Sequence, residues 1–382
     1  MIYWRLSGFY LFYFASLGAL LPYWSLYLES LNFSFTEIGQ LVAILMATKI
    51  VAPNIWGWIA DHTGQRMAII RLASLLAALA FTGVFISSNF WWLALVMTVF
   101  SFFWNATLPQ FEVTTMNHLG DEHHRYSGIR LWGSIGFLIA ASGLGTLLGL
   151  LGTGILPAIL TGLFVLIWLS SLTVPESAAG HLPLDQEPLR KVLSRPVVLS
   201  LLAVCFLMQA SHGPYYTFFS LYMEHHGYTT AVIGQLWALG VFAEIVVFLL
   251  MPVLLPRFGV RTLLLIAIVL TTLRWLLTAL YADNLAVIIF SQTLHAASFG
   301  LYHAVMIFLI HSLFTGSHQG RGQALYSSIS FGAGGAAGAL ISGYLWTEMG
   351  PQSMYLAAAL TSLGALLVVL FYARDIPESC KE

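Results

Sequence analysis

The chain has 382 residues, 59% of them hydrophobic and 8% charged, with a formal net charge of −1. Soluble domains carry about 25% charged residues, so a mean hydropathy of +0.84 over this length excludes a water-soluble core. The backbone must cross lipid, and long uninterrupted apolar runs require helices rather than barrel strands. The two cysteines, Cys205 and Cys380, fall in an apolar run and in the polar tail, which excludes a disulfide framework and a zinc site.

Polar breaks separate twelve predicted helices near 6–28, 38–60, 67–87, 90–116, 128–150, 154–173, 197–222, 231–253, 262–281, 284–311, 323–346 and 352–372. Each has about twenty residues or more, which suits a ~30 Å hydrocarbon layer at ~1.5 Å per residue. The first run follows Arg5 as a signal peptide would. Bulky Pro22, Tyr23 and Trp24 stand where small residues would mark cleavage, so a retained helix is expected. Pro22 and Pro214 are expected to bend the first and seventh spans. The longest break, Pro175 to Pro196, holds Glu176, Asp185, Glu187, Arg190, Lys191 and Arg195. It reads as a linker, 175–196, between a six-helix half at 1–174 and a second at 197–382.

Charge placement predicts orientation. With both termini inside, the inner segments hold Arg5, Arg66, Arg125, Arg190, Lys191, Arg195, Arg257, Arg261, Arg321, Arg374 and Lys381. The outer loops hold Glu29, Glu37, Glu224, Asp283 and Glu348 and no Lys or Arg. This is the positive-inside pattern, and the expected location is a bacterial inner membrane with both termini cytoplasmic.

The halves repeat. Ser25–Glu29 matches Ser220–Glu224, Ile38–Leu41 matches Ile233–Leu236, and Gly64 and Arg66 match Gly259 and Arg261, all at one offset. An even number of spans between copies keeps them parallel. The link between the second and third spans reads Gly57-Trp58-Ile59-Ala60-Asp61-His62-Thr63-Gly64-Gln65-Arg66. Gly57 suits close helix approach and Gly64 a positive φ. Asp61 is expected to bond N–H groups at the next helix start, and Arg66 to pair with an acid or a lipid phosphate. The spacing resembles the loop signature of the major facilitator superfamily, departing at His62 and Gln65, while Pro256 stands in the second copy where Asp61 stands in the first. The expected fold is therefore an all-α membrane protein of twelve transmembrane helices in two parallel-repeat six-helix halves. The resemblance implies halves that rock about a central cavity, with Gly57, Asp61, Gly64 and Arg66 as a gating loop helped by Gly320-Arg321-Gly322.

A mid-membrane charge costs about 3 kcal/mol on insertion scales and needs a partner or a water-filled cavity. Lys49, Glu244, Arg274 and His295 fall near the middle of spans 2, 8, 9 and 10, with Glu244 at the repeat-equivalent place of Lys49. They define a candidate polar site. Structural ion pairs, Arg274 with Glu244 for instance, are the alternative reading. Glu112 and Arg130 form a second candidate set at similar depth, against which stands a pair near the headgroups. His295 and His303, eight residues apart on span 10, and His212 in span 7 suit proton relay, against the alternative of buried neutral rings. His62, His123, His124, His225 and His226 sit in loops. Tyr10, Phe14, Trp132, Tyr215, Tyr216 and Trp237 are candidate cavity-lining aromatics, with core packing the default for any one. Gly332–Ala339 lacks bulk and permits close helix contact.

The stretches Gln209–Tyr216, Leu236–Glu244, Arg274-Trp275, Leu294-His295 and Arg130–Ser134 resemble the phenylpropionate permease family, itself similar to lactose-permease-like proton symporters. The resemblance implies proton coupling through Glu244, Arg274 and His295, to which His303 and Glu112 are added as candidates. The candidate substrate-binding set is Lys49, Arg130, His212, Tyr215, Tyr216 and Trp237. The expected function is proton-coupled symport of a small organic, aromatic acid. The alternative is proton symport of a neutral sugar or nucleoside, and a non-transporting sensor is a third class. No P-loop, H-E-x-x-H or G-x-S-x-G occurs, which argues against ATP drive and against an enzyme. No cofactor, metal or nucleic-acid partner is expected. The partners are substrate, protons and lipid, with the chain monomeric.

Overall fold

In lipid every backbone N–H and C=O must be satisfied within its own segment, and apolar runs of this length can do so only as helices. The computed structural model describes residues 2–120, 122, 125–176, 192–314 and 319–372. Among them are twelve helices long and apolar enough to cross a membrane and no strand. They are α1 (Ile2–Ser30), α2 (Phe35–Thr63), α3 (Arg66–Phe85), α4 (Phe90–Leu119), α5 (Tyr126–Leu151), α6 (Thr153–Leu172), α7 (Pro196–His225), α8 (Thr230–Phe258), α9 (Val260–Leu280), α10 (Leu285–Leu313), α11 (Gly320–Met349) and α12 (Pro351–Phe371).

Most helices run a few residues past their apolar cores, because polar caps extend them. Ser34 and Glu37 close a capping box on α2, which moves Glu37 from the expected loop into the helix. Asn89 and Asn284 accept N–H bonds at the starts of α4 and α10. Gly64 ends α2 with φ 67°, a left-handed cap that glycine adopts without strain. Residues 177–191 of the expected linker, His123, His124, Arg374, Cys380 and Lys381 lie outside the described residues.

The contacts cluster into two units. The first contains the described residues of Met1–His181 and Phe219–Ala238. In it α1 packs on α5 and α6, α3 on α4 and α6, and α2 on α4. Its core stacks Phe81, Phe100, Trp104 and Phe164, with ring centroids 4.7–6.1 Å apart. Glycine makes the α1–α5 approach possible, since a Cβ on Gly18 would lie 2.6 Å from the Phe137 carbonyl oxygen. Thr230 at the start of α8 donates to the Gly145 carbonyl at 2.8 Å.

The second unit contains the described residues of Leu182–Phe218 and Leu239–Glu382. Here α9 and α7 pack on α12, and α7 on α11. The bulk-free run of α11 performs the expected close contact. A Cβ on Gly334 would lie 2.6 Å from the Phe206 carbonyl oxygen, and Gly338 sits against the backbone of Ala210 and Gly213. Three irregularities interrupt this unit. Helix α7 breaks at His212, between Pro196–Ser211 and Gly213–His225, where Pro214 lacks the N–H needed to continue the ladder. Helices α10 and α11 contain π-helical turns at Ala296–Leu301 and Ser328–Gly334.

Candidate functional site

The second unit builds a polar cluster around Arg274, which is 0% exposed. Its guanidinium donates to His295 Nδ1 at 2.9 Å, Ser298 Oγ at 2.9 Å and Gln292 Oε1 at 3.2 Å. Its Cζ lies 4.2 Å from the Tyr215 ring centroid and 4.7 Å from that of Trp275, two cation–π contacts. Tyr215 also donates to Gln292 Oε1 at 3.1 Å. No carboxylate pairs with Arg274 among the described residues. The Arg274–Glu244 ion pair of the alternative reading does not form among the described residues. His295 stands between them, its Nε2 3.5 Å from Glu244 Oε2.

That order decides the histidine's proton. Arginine only donates, so Nδ1 of His295 must accept, and the ring proton sits on Nε2, aimed at Glu244. A second ring proton on Nδ1 would oppose the arginine N–H, and Glu244 is the carboxylate that faces the Nε2 side of the ring. Glycines seat this chain: a Cβ on Gly240 would lie 3.3 Å from His295 Cδ2, and one on Gly300 3.1 Å from Glu244 Cγ.

His212 is drawn into the same cluster, 4.9 Å from Trp275 and 6.0 Å from Tyr216 between ring centroids. Its Nδ1 donates to the Met208 carbonyl at 2.7 Å, which leaves Nε2 as an acceptor. Arg274 Nε, Gln292 Nε2 and His212 Nε2 are buried without a hydrogen-bond partner among the described residues. His303 bonds Tyr326 Oη at 2.8 Å, and the Phe299 ring lies nearly parallel between His295 and His303, 5.6 Å from each.

In the first unit Lys49 occupies the centre of the 29-residue α2 and is half-buried. Among the described residues it has neither an acidic partner nor a hydrogen bond. Neighbouring Thr48 donates to Ser101 at 2.8 Å and accepts from Asn105 at 2.9 Å, tying α2 to α4 beside the lysine. Glu112, Arg130 and Tyr126 lie near enough to act on one another electrostatically, but no ion pair joins Glu112 and Arg130 among the described residues. Arg130 stacks on Phe14 at 3.8 Å. Trp237 packs on Phe219 and donates to Ser220 at 3.0 Å.

The loop residues also find partners. Arg66 bonds Asp61 and Gln110, and a Cβ on Gly57 would lie 3.3 Å from Gln110 Nε2. The start of α3 is capped by Glu176 rather than by the expected Asp61: the Met67 N–H donates to its carboxylate at 3.0 Å. Arg71 donates to the Val174 carbonyl at 2.7 Å at the end of α6.

Sequence reasoning missed Gln292, Ser298, Tyr126, Gln110 and Glu176. The first two had a signal: both are polar and lie three residues to either side of His295, on one face of an apolar helix. The others gain meaning only from contacts distant in sequence.

Twelve spanning helices with ionisable side chains buried inside them are the architecture of a multi-pass membrane transporter of the major facilitator fold. The sequence matches the MFS_1 like family over residues 3–357, and the chain belongs to it. It is 28% identical over 374 residues to the probable 3-phenylpropionic acid transporter of Escherichia coli (strain K12), covering 96% of each chain. It is 29% identical over 380 residues to the maltose permease of Geobacillus stearothermophilus, covering 96% of this chain and 93% of that one. Its fold is similar to that of a mutant of the nucleoside transporter NupG, with a TM-score of 0.84 at 17% identity over 97% of this chain and 99% of the other.

Proposed function

We propose that this transporter is a proton-coupled symporter of a small aromatic carboxylate, working by alternating access in a bacterial inner membrane with both termini cytoplasmic. The observation that carries the reading is Lys49, a cation at the middle of a membrane span with no anion beside it among the described residues. A charge kept there at a cost of about 3 kcal/mol needs a counter-charge, and a carboxylate ligand supplies one. Glu244 takes and releases the proton, with His295 and Arg274 holding its geometry. The similarity to the 3-phenylpropionic acid transporter supports an aromatic acid as cargo.

The test is uptake of 3-phenylpropionate into proteoliposomes under an imposed inward proton gradient, with maltose and a nucleoside as competitors. Gradient-driven accumulation blocked by other aromatic acids supports the reading. The similarity to the maltose permease favours a second reading, proton symport of a neutral sugar or nucleoside, and accumulation of such a solute would replace the first.

A further inference from the structure

The start of α1 and the end of α6 lie on one side of the membrane, because six crossings separate them. Between them runs a groove of about 720 Å³, lined by Trp4, Arg5, Gly8, Phe12, Leu166 and Leu169 among others. Its two ends differ in chemistry. At the mouth, Arg5 is exposed and has no ion-pair or hydrogen-bond partner among the described residues. Trp4 beside it is 65% exposed, so its indole N–H is a second free donor at the helix end. Among the described residues no acidic side chain lines the groove. Deeper, the lining is apolar, and Gly8 opens the floor: a Cβ there would meet nothing within 4 Å. Trp4 and Phe12 are eight residues apart, ~12 Å along the helix axis.

A guanidinium and an indole N–H at headgroup depth above an apolar trough match one kind of molecule, an anion with a hydrocarbon chain attached. We infer that this groove is a binding site for an anionic phospholipid, its phosphate on Arg5 and Trp4 and one acyl chain along Gly8, Phe12, Leu166 and Leu169. Basic pockets at helix ends bind anionic headgroups, and tryptophan anchors at that depth. A zwitterionic lipid fills the same trough but leaves its own cation facing Arg5, so the site discriminates by headgroup. The site lies within the first unit and does not depend on the identity of the transported solute.

Native mass spectrometry of the delipidated full chain in detergent tests this, with equal amounts of phosphatidylglycerol and phosphatidylcholine carrying the same acyl chains. The expected result is preferential retention of phosphatidylglycerol by about fivefold, the effect of one cation at an anionic headgroup. Arg5→Ala should bring the ratio near one. Gly8→Leu, whose Cβ would meet nothing within 4 Å and whose side chain extends into the trough, should lower retention of both lipids, with an unchanged unfolding temperature confirming the fold. The inference is overturned by equal retention of the two lipids, by a preference that survives Arg5→Ala, or by Gly8→Leu retaining both lipids like the native chain. It is also overturned if inorganic phosphate alone stabilises the chain as much as phosphatidylglycerol does.

Discussion

The membrane-embedded cations divide by whether an acid or carbonyl answers them. Arg71 is held by carbonyls at the end of α6, and Arg130 lies over the Phe14 ring with Glu112 acting on it through space. Arg274 has three neutral acceptors and two rings, and Lys49 has nothing among the described residues. An unanswered charge is the one a ligand can use. Lys49→Met should therefore weaken an aromatic carboxylate by about 2–5 kcal/mol, as for one partner of a desolvated pair, and leave a neutral solute unaffected. Isothermal titration or thermal shift of purified protein measures this. Equal binding of the acid by native and variant chains would remove Lys49 from the site and raise the neutral-solute reading. The charges themselves were legible in the sequence, because ionisable residues in apolar spans stand out. Their partners were not. The insertion of His295 between Arg274 and Glu244 is set by the rotation of α9 and α10 about their axes, which a single-chain pattern does not encode.

At the scale of elements, glycine decides where helices touch. Gly338 fits against the Ala210 and Gly213 backbone, whereas Gly8 faces open space. Gly338→Leu must push α11 from α7 and should cost about 1–3 kcal/mol, as overpacking does. Gly8→Leu should leave stability unchanged. Thermal unfolding in detergent compares them directly, and an unfolding temperature of Gly338→Leu equal to the native one would show that the contact is not tight. The glycine-rich run of α11 could be read from sequence, and so could a break near Pro214. The π-helical turns at Ala296–Leu301 and Ser328–Gly334 could not. An extra residue in a turn shifts the hydrophobic face by one position, and in a helix buried on most sides that leaves no gap in the apolar pattern. The cap on α3 was misassigned for a related reason. Glu176 lies 109 residues from Met67, and sequence reasoning favours the acid already present in the loop, Asp61.

For the whole molecule, twelve spans follow from length and apolar patterning alone, and the structure describes all twelve. Orientation rests on the one-sided distribution of Lys and Arg. Single cysteines replacing exposed Glu29 and Arg125, in a chain lacking Cys205 and Cys380, should report it. A membrane-impermeant maleimide added to intact cells should label position 29 and not position 125, and the reverse pattern would invert the topology.

Coupling is the central claim, and it concentrates on one carboxylate. Driving solute uphill with protons requires a group that loads a proton on one side and releases it on the other, and in the proposed mechanism that group is Glu244, whose carboxylate lies 3.5 Å from His295 Nε2. Glu244→Gln keeps the shape but fixes the loaded state. The decisive measurement is solute movement in proteoliposomes bearing Glu244→Gln, recorded both as counterflow and as uptake under an imposed proton gradient. Counterflow near the native rate with no gradient-driven accumulation is the predicted result. Accumulation by Glu244→Gln in response to the gradient would contradict it and move the coupling carboxylate to Glu112.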